Sequence, residues 1–150
     1  MTIQDVFDRL RPISRAATQL LKDTGFQQDD GQLPFDVRPF PDRCEDAFLR
    51  AKAEEILDQL ADICQILSYL EMPSHGEHTL TLLKDGRYGY IDDGGHIHEF
   101  TCGDCLEVKI HDNYGGCRWI TSTMGHDGAD YFLTGTSGLP LGGLTVRERG

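Results

Sequence analysis

The sequence predicts an α+β protein: an N-terminal helical hairpin followed by a small antiparallel SH3-like β-barrel. Three observations predict it. Apolar residues recur at helical spacing in two stretches before residue 72. Beyond residue 77, short apolar runs alternate with Asp-Gly and Gly-Gly pairs, which tolerate the positive φ of tight turns. Those runs recur about every 8–12 residues, and a segment of roughly 70 residues is too short for two large sheets. The expected domains are residues 1–72, a hairpin with a Pro-rich connector, and residues 77–150, the barrel.

The first helix opens on Thr2-Ile3-Gln4-Asp5, an acidic form of the capping box. Ile3, Val6, Phe7, Leu10, Ile13, Ala17, Leu20 and Leu21 follow at helical spacing, and Gly25 supplies a stop. Pro12 removes one backbone bond; because the apolar stripe continues across it, a kink is expected rather than a break. Phe26 to Pro41 is a connector whose Leu33, Phe35, Val37 and Phe40 alternate with other residues. So apolar a loop packs across its own helices or offers an extended segment to a partner.

The second helix starts at Asp42, with Glu45 three residues on, and runs to Met72 without Gly or Pro. Leu49, Ala53, Ile56, Leu60, Ile63, Leu67 and Leu70 form a heptad seam. The seam faces the first helix in a hairpin or a second copy in a homodimer, so the chain is read as a monomer or a homodimer through 49–70. Leu57, Cys64 and Ile66 lie outside the strict seam and widen the apolar face.

Pro73-Ser74-His75-Gly76 ends the helix. In the strand array, Leu106 and Val108 point one way while Glu107 and Lys109 point the other; Trp119, Thr121 and Thr123 share a face opposite Arg118, Ile120 and Ser122. Gly142-Gly143 suits a bend where the last strand closes the barrel.

The chain carries 25 acids against 14 bases, a net charge of −11, spread over both halves. Phosphate neutralisation needs clustered Lys and Arg, so direct nucleic-acid binding is disfavoured. An acidic surface serves solubility, or it suits a basic protein, including a nucleic-acid-binding one. With neither a membrane-length apolar run nor a signal-peptide pattern, the expected location is the cytoplasm. Five cysteines there are expected to be reduced.

The segments CGDCLEVKI, RWITSTMGHDGADYFLTG and GLPLGGLTVRER carry a resemblance. Cys102-Gly103-Asp104, Leu106-Glu107-Val108, Trp119, Tyr131 and Gly143 to Arg147 resemble the motifs of a small bacterial domain of unknown function, family 5348, from Tyr88 onward. That family is met in plasmids and integrative elements of gut bacteria. The resemblance implies an accessory role in a mobile element and brings no activity. Some small acidic proteins of such elements are anti-CRISPR inhibitors.

Candidate chemistry is sparse. Cys102 and Cys105, with Cys117 or His111, could hold zinc; structural thiols are the alternative. A redox pair needs a helix after the motif, and a strand follows here. Asp92-Asp93 fits turn chemistry, and GLPLGG lacks the Lys and helix of a phosphate loop. The sequence therefore points to a non-enzymatic acidic protein-interaction protein, with a zinc-binding regulatory module around Cys102 and Cys105 as the alternative. Glu54, Asp58 and Asp62 form a negative stripe one helical turn apart, and Trp119 and Tyr131 offer an aromatic face. These are the expected partner-binding residues. The expected partner is a basic protein, such as a nucleic-acid-binding effector.

Overall fold

The computed structural model describes residues 1–39, 41–136 and 138–150. Phe40, expected among the apolar residues of the connector, lies outside them. The chain is α+β and divides into two compact units, Met1–Glu71 and Met72–Gly150. Among the described residues no helix is long and apolar enough to cross a membrane.

Helix α1 spans Ile3–Thr24 and runs unbroken through Pro12. Thr2 and Asp5 exchange the two bonds of a capping box, and Gly25 closes the helix in the left-handed conformation that glycine adopts without penalty. Helix α2 spans Arg43–Glu71, and the Asp42 carboxylate accepts from the backbone N–H groups of Cys44 and Glu45 at 2.9 and 3.0 Å. The helices are antiparallel: Arg11 reaches Glu71, while Ser14 and Thr18 meet Cys64.

The face that α2 turns inward is only partly the expected seam: of its members Leu67 is buried and Ala53 and Leu60 are half-buried. Leu57, Ala61, Cys64 and Leu67 are buried, whereas Leu49, Ile56, Ile63 and Leu70 of the seam are exposed. Small residues explain the rotation. Ala17 and Ala61 are buried, and the Cys64 Sγ approaches the Ser14 carbonyl at 3.6 Å and the Thr18 hydroxyl at 3.5 Å. Close backbone approach through small side chains places α2 one position off the bulkier stripe. Leu57→Ala should therefore cost about 2–4 kcal/mol, read as a fall in the urea midpoint of the helical transition. An unchanged midpoint would remove Leu57 from the contact.

The connector lies across the hairpin. Phe26 is buried, the Glu54 carboxylate accepts from the Leu33 N–H at 2.9 Å, and Arg50 donates to the Val37 carbonyl at 3.0 Å.

Among the described residues the second unit has eight strands: β1 (His78–Thr79), β2 (Thr81–Leu82), β3 (Tyr88–Ile91), β4 (Ile97–Glu99), β5 (Cys105–His111), β6 (Cys117–His126), β7 (Tyr131–Leu133) and β8 (Thr145–Arg147). They form two antiparallel sheets, one in the order β1-β8-β5-β6-β7 and one in the order β2-β3-β4. One core serves both: Leu80, Tyr90, Phe100, Leu106, Val108, Met124, Leu133, Leu141 and Val146. Three hairpin turns use the same device. Asp92 Oδ1 accepts from Gly94 and His96 N–H, Asp112 Oδ1 from Tyr114 and Gly116, and Asp127 Oδ1 from Ala129 and Asp130. The two ends of the unit meet: His75 N–H donates to the Glu148 carbonyl at 3.0 Å, and Gly150 N–H to that of Pro73 at 3.2 Å.

Candidate interaction surfaces

Helix α2 holds seven acids and three bases, net −4, whereas α1 holds three acids and four bases, net +1. The expected stripe of Glu54, Asp58 and Asp62 is partly committed to the fold. Glu54 binds the connector backbone at Leu33, and Asp62 accepts from Gln28 Nε2 at 2.6 Å. Glu54 and Asp58 are half-buried, and Asp62 is exposed. Glu55, beside them, is exposed and takes a 2.8 Å bond from Lys52, which lowers its pKa.

The seam residues Leu49, Ile56, Ile63 and Leu70 are 42%, 58%, 44% and 39% exposed. They recur every seventh residue and so form a ladder along the helix. At about 100° per residue, the ladder lies on one side of the α1-facing residues and Glu54, Asp58 and Asp62 lie on the other. α1 adds an exposed pair at the same spacing, Ile13 and Leu20.

In the second unit the two expected aromatic residues do not form one patch. Trp119 is half-buried on the outer face of β6, with the Arg147 guanidinium 4.0 Å over its ring and Lys109 Nζ at 5.5 Å. Tyr131 packs against the core, with edge contacts to Tyr88 at 6.4 Å and His126 at 4.7 Å. Tyr131 is paired with His126, seven residues along β6 from Trp119 and so about 23 Å away. Beside Trp119, Glu107 faces outward yet is only 5% exposed, because Arg147 and Arg149 cover it. Burial would raise its pKa; the hydrogen bonds from Arg149 (2.7 Å) and Arg147 outweigh burial and hold the carboxylate below its usual value.

A polar cavity of about 410 Å³ is lined by His75, His78, Tyr90, Asp92, His98, Glu148, Arg149 and Gly150. Tyr90 lies between two imidazoles, stacked on His78 at 4.0 Å and on His98 at 4.6 Å. Its hydroxyl donates to Glu148 at 2.7 Å; burial first, then this acceptor, pushes the phenol well above its usual pKa. Asp92 meets His98 Nε2 at 2.9 Å, and that bond, with the His96 N–H, holds Asp92 far below the usual carboxylate range. This gives an oriented Asp–His pair; among the described residues no Ser, Thr or Cys lines the cavity. No local sequence pattern points to this cavity, because His78, Tyr90 and Glu148 converge on it from separate stretches of the chain.

The zinc site of the alternative reading is not assembled. Cys105 begins β5, where it pairs with Thr123; His111 ends β5, where it pairs with Cys117. Six residues of strand separate the two pairs by about 20 Å. Cys102, Cys105 and Cys117 are exposed, and among the described residues no group of three or more ligating side chains could hold a metal ion.

The chain thus comprises a helical hairpin with an acidic second helix and a compact two-sheet β domain. The β domain matches the family model of a domain of unknown function, DUF5348, over residues 79–148. No curated protein and no solved structure matches the chain.

Proposed function

We propose that this is a non-enzymatic, cytoplasmic, acidic protein-interaction protein, an accessory factor of a mobile element, whose hairpin contacts a basic partner. The observation that carries the reading is the charge of α2, net −4 over 29 residues, next to an α1 that is net +1. Like charges one turn apart weaken a helix slightly, so concentrating acids there is a cost that an opposing basic surface offsets. The sharpest version of the proposal is inhibition of a nucleic-acid-binding effector in the manner of an anti-CRISPR protein. The setting rests on the resemblance of the β domain to a family met in plasmids and integrative elements. The shared core and short antiparallel strands of the β unit are in keeping with an SH3-like barrel.

The test is a pull-down from host lysate, followed by titration of the captured protein at low and high salt. Glu55→Lys with Asp58→Lys leaves the connector bonds of Glu54 and Asp62 intact. This double variant should lose at least about tenfold in affinity, and wild-type binding should weaken steeply with salt. Equal affinity for both proteins at both salt concentrations would eliminate α2 as a charged contact.

A further inference from the structure

We infer that the apolar ladder of α2 pairs with the same ladder of a second copy, antiparallel, to make a dimer. The inference rests on reading the hairpin as an interaction arm, and it concerns the side of α2 away from Glu54, Asp58 and Asp62. Leu49, Ile56, Ile63 and Leu70 are spaced by seven without exception and are exposed. A heptad repeat is the pattern that keeps one seam facing a partner helix along its whole length.

The ladder is also self-complementary. Turned end for end about its midpoint, it sets Leu49 opposite the partner's Leu70 and Ile56 opposite the partner's Ile63. All four layers are then aliphatic, as the isologous contact of a two-fold dimer requires. Exposed Ile66 extends the apolar strip, and only Lys52 and Gln59 interrupt it. In that register residues 48–71 of the two helices overlap, a contact about 36 Å long. A contact of that length can reach the roughly 1,200 Å² at which stable interfaces begin. A basic protein would be drawn to the acidic side; the ladder itself carries no acid and suits an aliphatic partner.

Charge sets the salt dependence. Each α2 is net −4, so pairing brings like charges together and salt should tighten the dimer. Binding of a basic partner weakens with salt, so the two readings fail separately.

The experiment is sedimentation equilibrium of the full chain, from micromolar to hundreds of micromolar. Wild type should be dimeric, and Ile56→Lys and Ile63→Glu should each be monomeric with unchanged helical circular dichroism. Mixing those two variants should restore a heterodimer, because the antiparallel register sets position 56 against the partner's position 63. Gln59→Leu fills the polar gap in the strip and should tighten the dimer about tenfold, a gain that unfolding cannot mimic. A monomer at every concentration overturns the inference, as does a dimer indifferent to Ile56 and Ile63. Rescue only by pairing Ile56→Lys with Ile56→Glu would show a parallel dimer and overturn the register. Protection of the Ile56 and Ile63 side chains in a monomer would place the chain's own β unit on the ladder and overturn it too.

Discussion

Replacing Glu107 with Ala should destabilise the β unit by about 3 kcal/mol, because it leaves Arg147 and Arg149 facing each other across a mostly buried site. The pH dependence has a definite sign. The folded pKa of Glu107 is depressed, so the stability it contributes is complete above the ordinary glutamate value, about 4.3, and is lost as pH falls below it. Asp92, Asp112 and Asp127 are also depressed by hydrogen bonds and lose their contributions in the acid range. Urea midpoints measured from about pH 6 to pH 3 should fall steeply for wild type and less steeply for Glu107→Gln. Parallel curves would show that the carboxylate contributes nothing through its charge.

A second large effect is expected at Gly89. It sits in β3, the central strand of the three-stranded sheet, between Thr81 and Glu99. A Cβ there would collide with the His98 carbonyl oxygen and crowd Leu83 Cδ1 at 2.9 Å. Neither the sheet backbone nor a packed leucine can yield cheaply, so Gly89→Val should cost about 3 kcal/mol or more. Gly143 is a useful contrast. Its φ of 90° strains any side chain, but nothing lies within 4 Å of its Cβ position. Gly143→Val should cost about 1–3 kcal/mol through backbone strain alone. Thermal melts of the two variants should rank Gly89→Val as the less stable, and the reverse order would make backbone strain at Gly143 the larger constraint.

Local chemistry was legible in the sequence wherever a few adjacent residues decide the outcome. Thr2 and Asp5 cap α1, Gly25 ends it, and Asp42 opens α2, because capping is settled within a turn of helix. Strand positions in the β unit followed from the turns, where aspartates bind amides two to four residues on. The face that α2 buries was legible only in part: Leu67 lay in the expected seam and Leu57 and Cys64 beside it, while Ala61 was not foreseen. Hydrophobicity favours Leu49, Ile56 and Ile63, but close approach favours Ala61 and Cys64, and only the partner helix decides between them. The charged stripe was visible at Glu54, Asp58 and Asp62. That Glu54 and Asp62 hold the connector depends on contacts 21 and 34 residues away in sequence. The ring stack at Tyr90 was equally out of reach, since His78 and His98 come from different strands.

The meeting of Pro73 with Gly150, and of His75 with Glu148, brings the two ends of the β unit side by side. The antiparallel bridge between Ser74 and Arg149 fastens them as a ladder rung would. A body whose entrance and exit adjoin occupies no more of a host chain's path than a short surface loop does. Grafted into such a loop, it would leave the host's flanking backbone nearly where it was. That geometry suits the domain to insertion as a module, joined to a neighbour such as the hairpin through one narrow crossing.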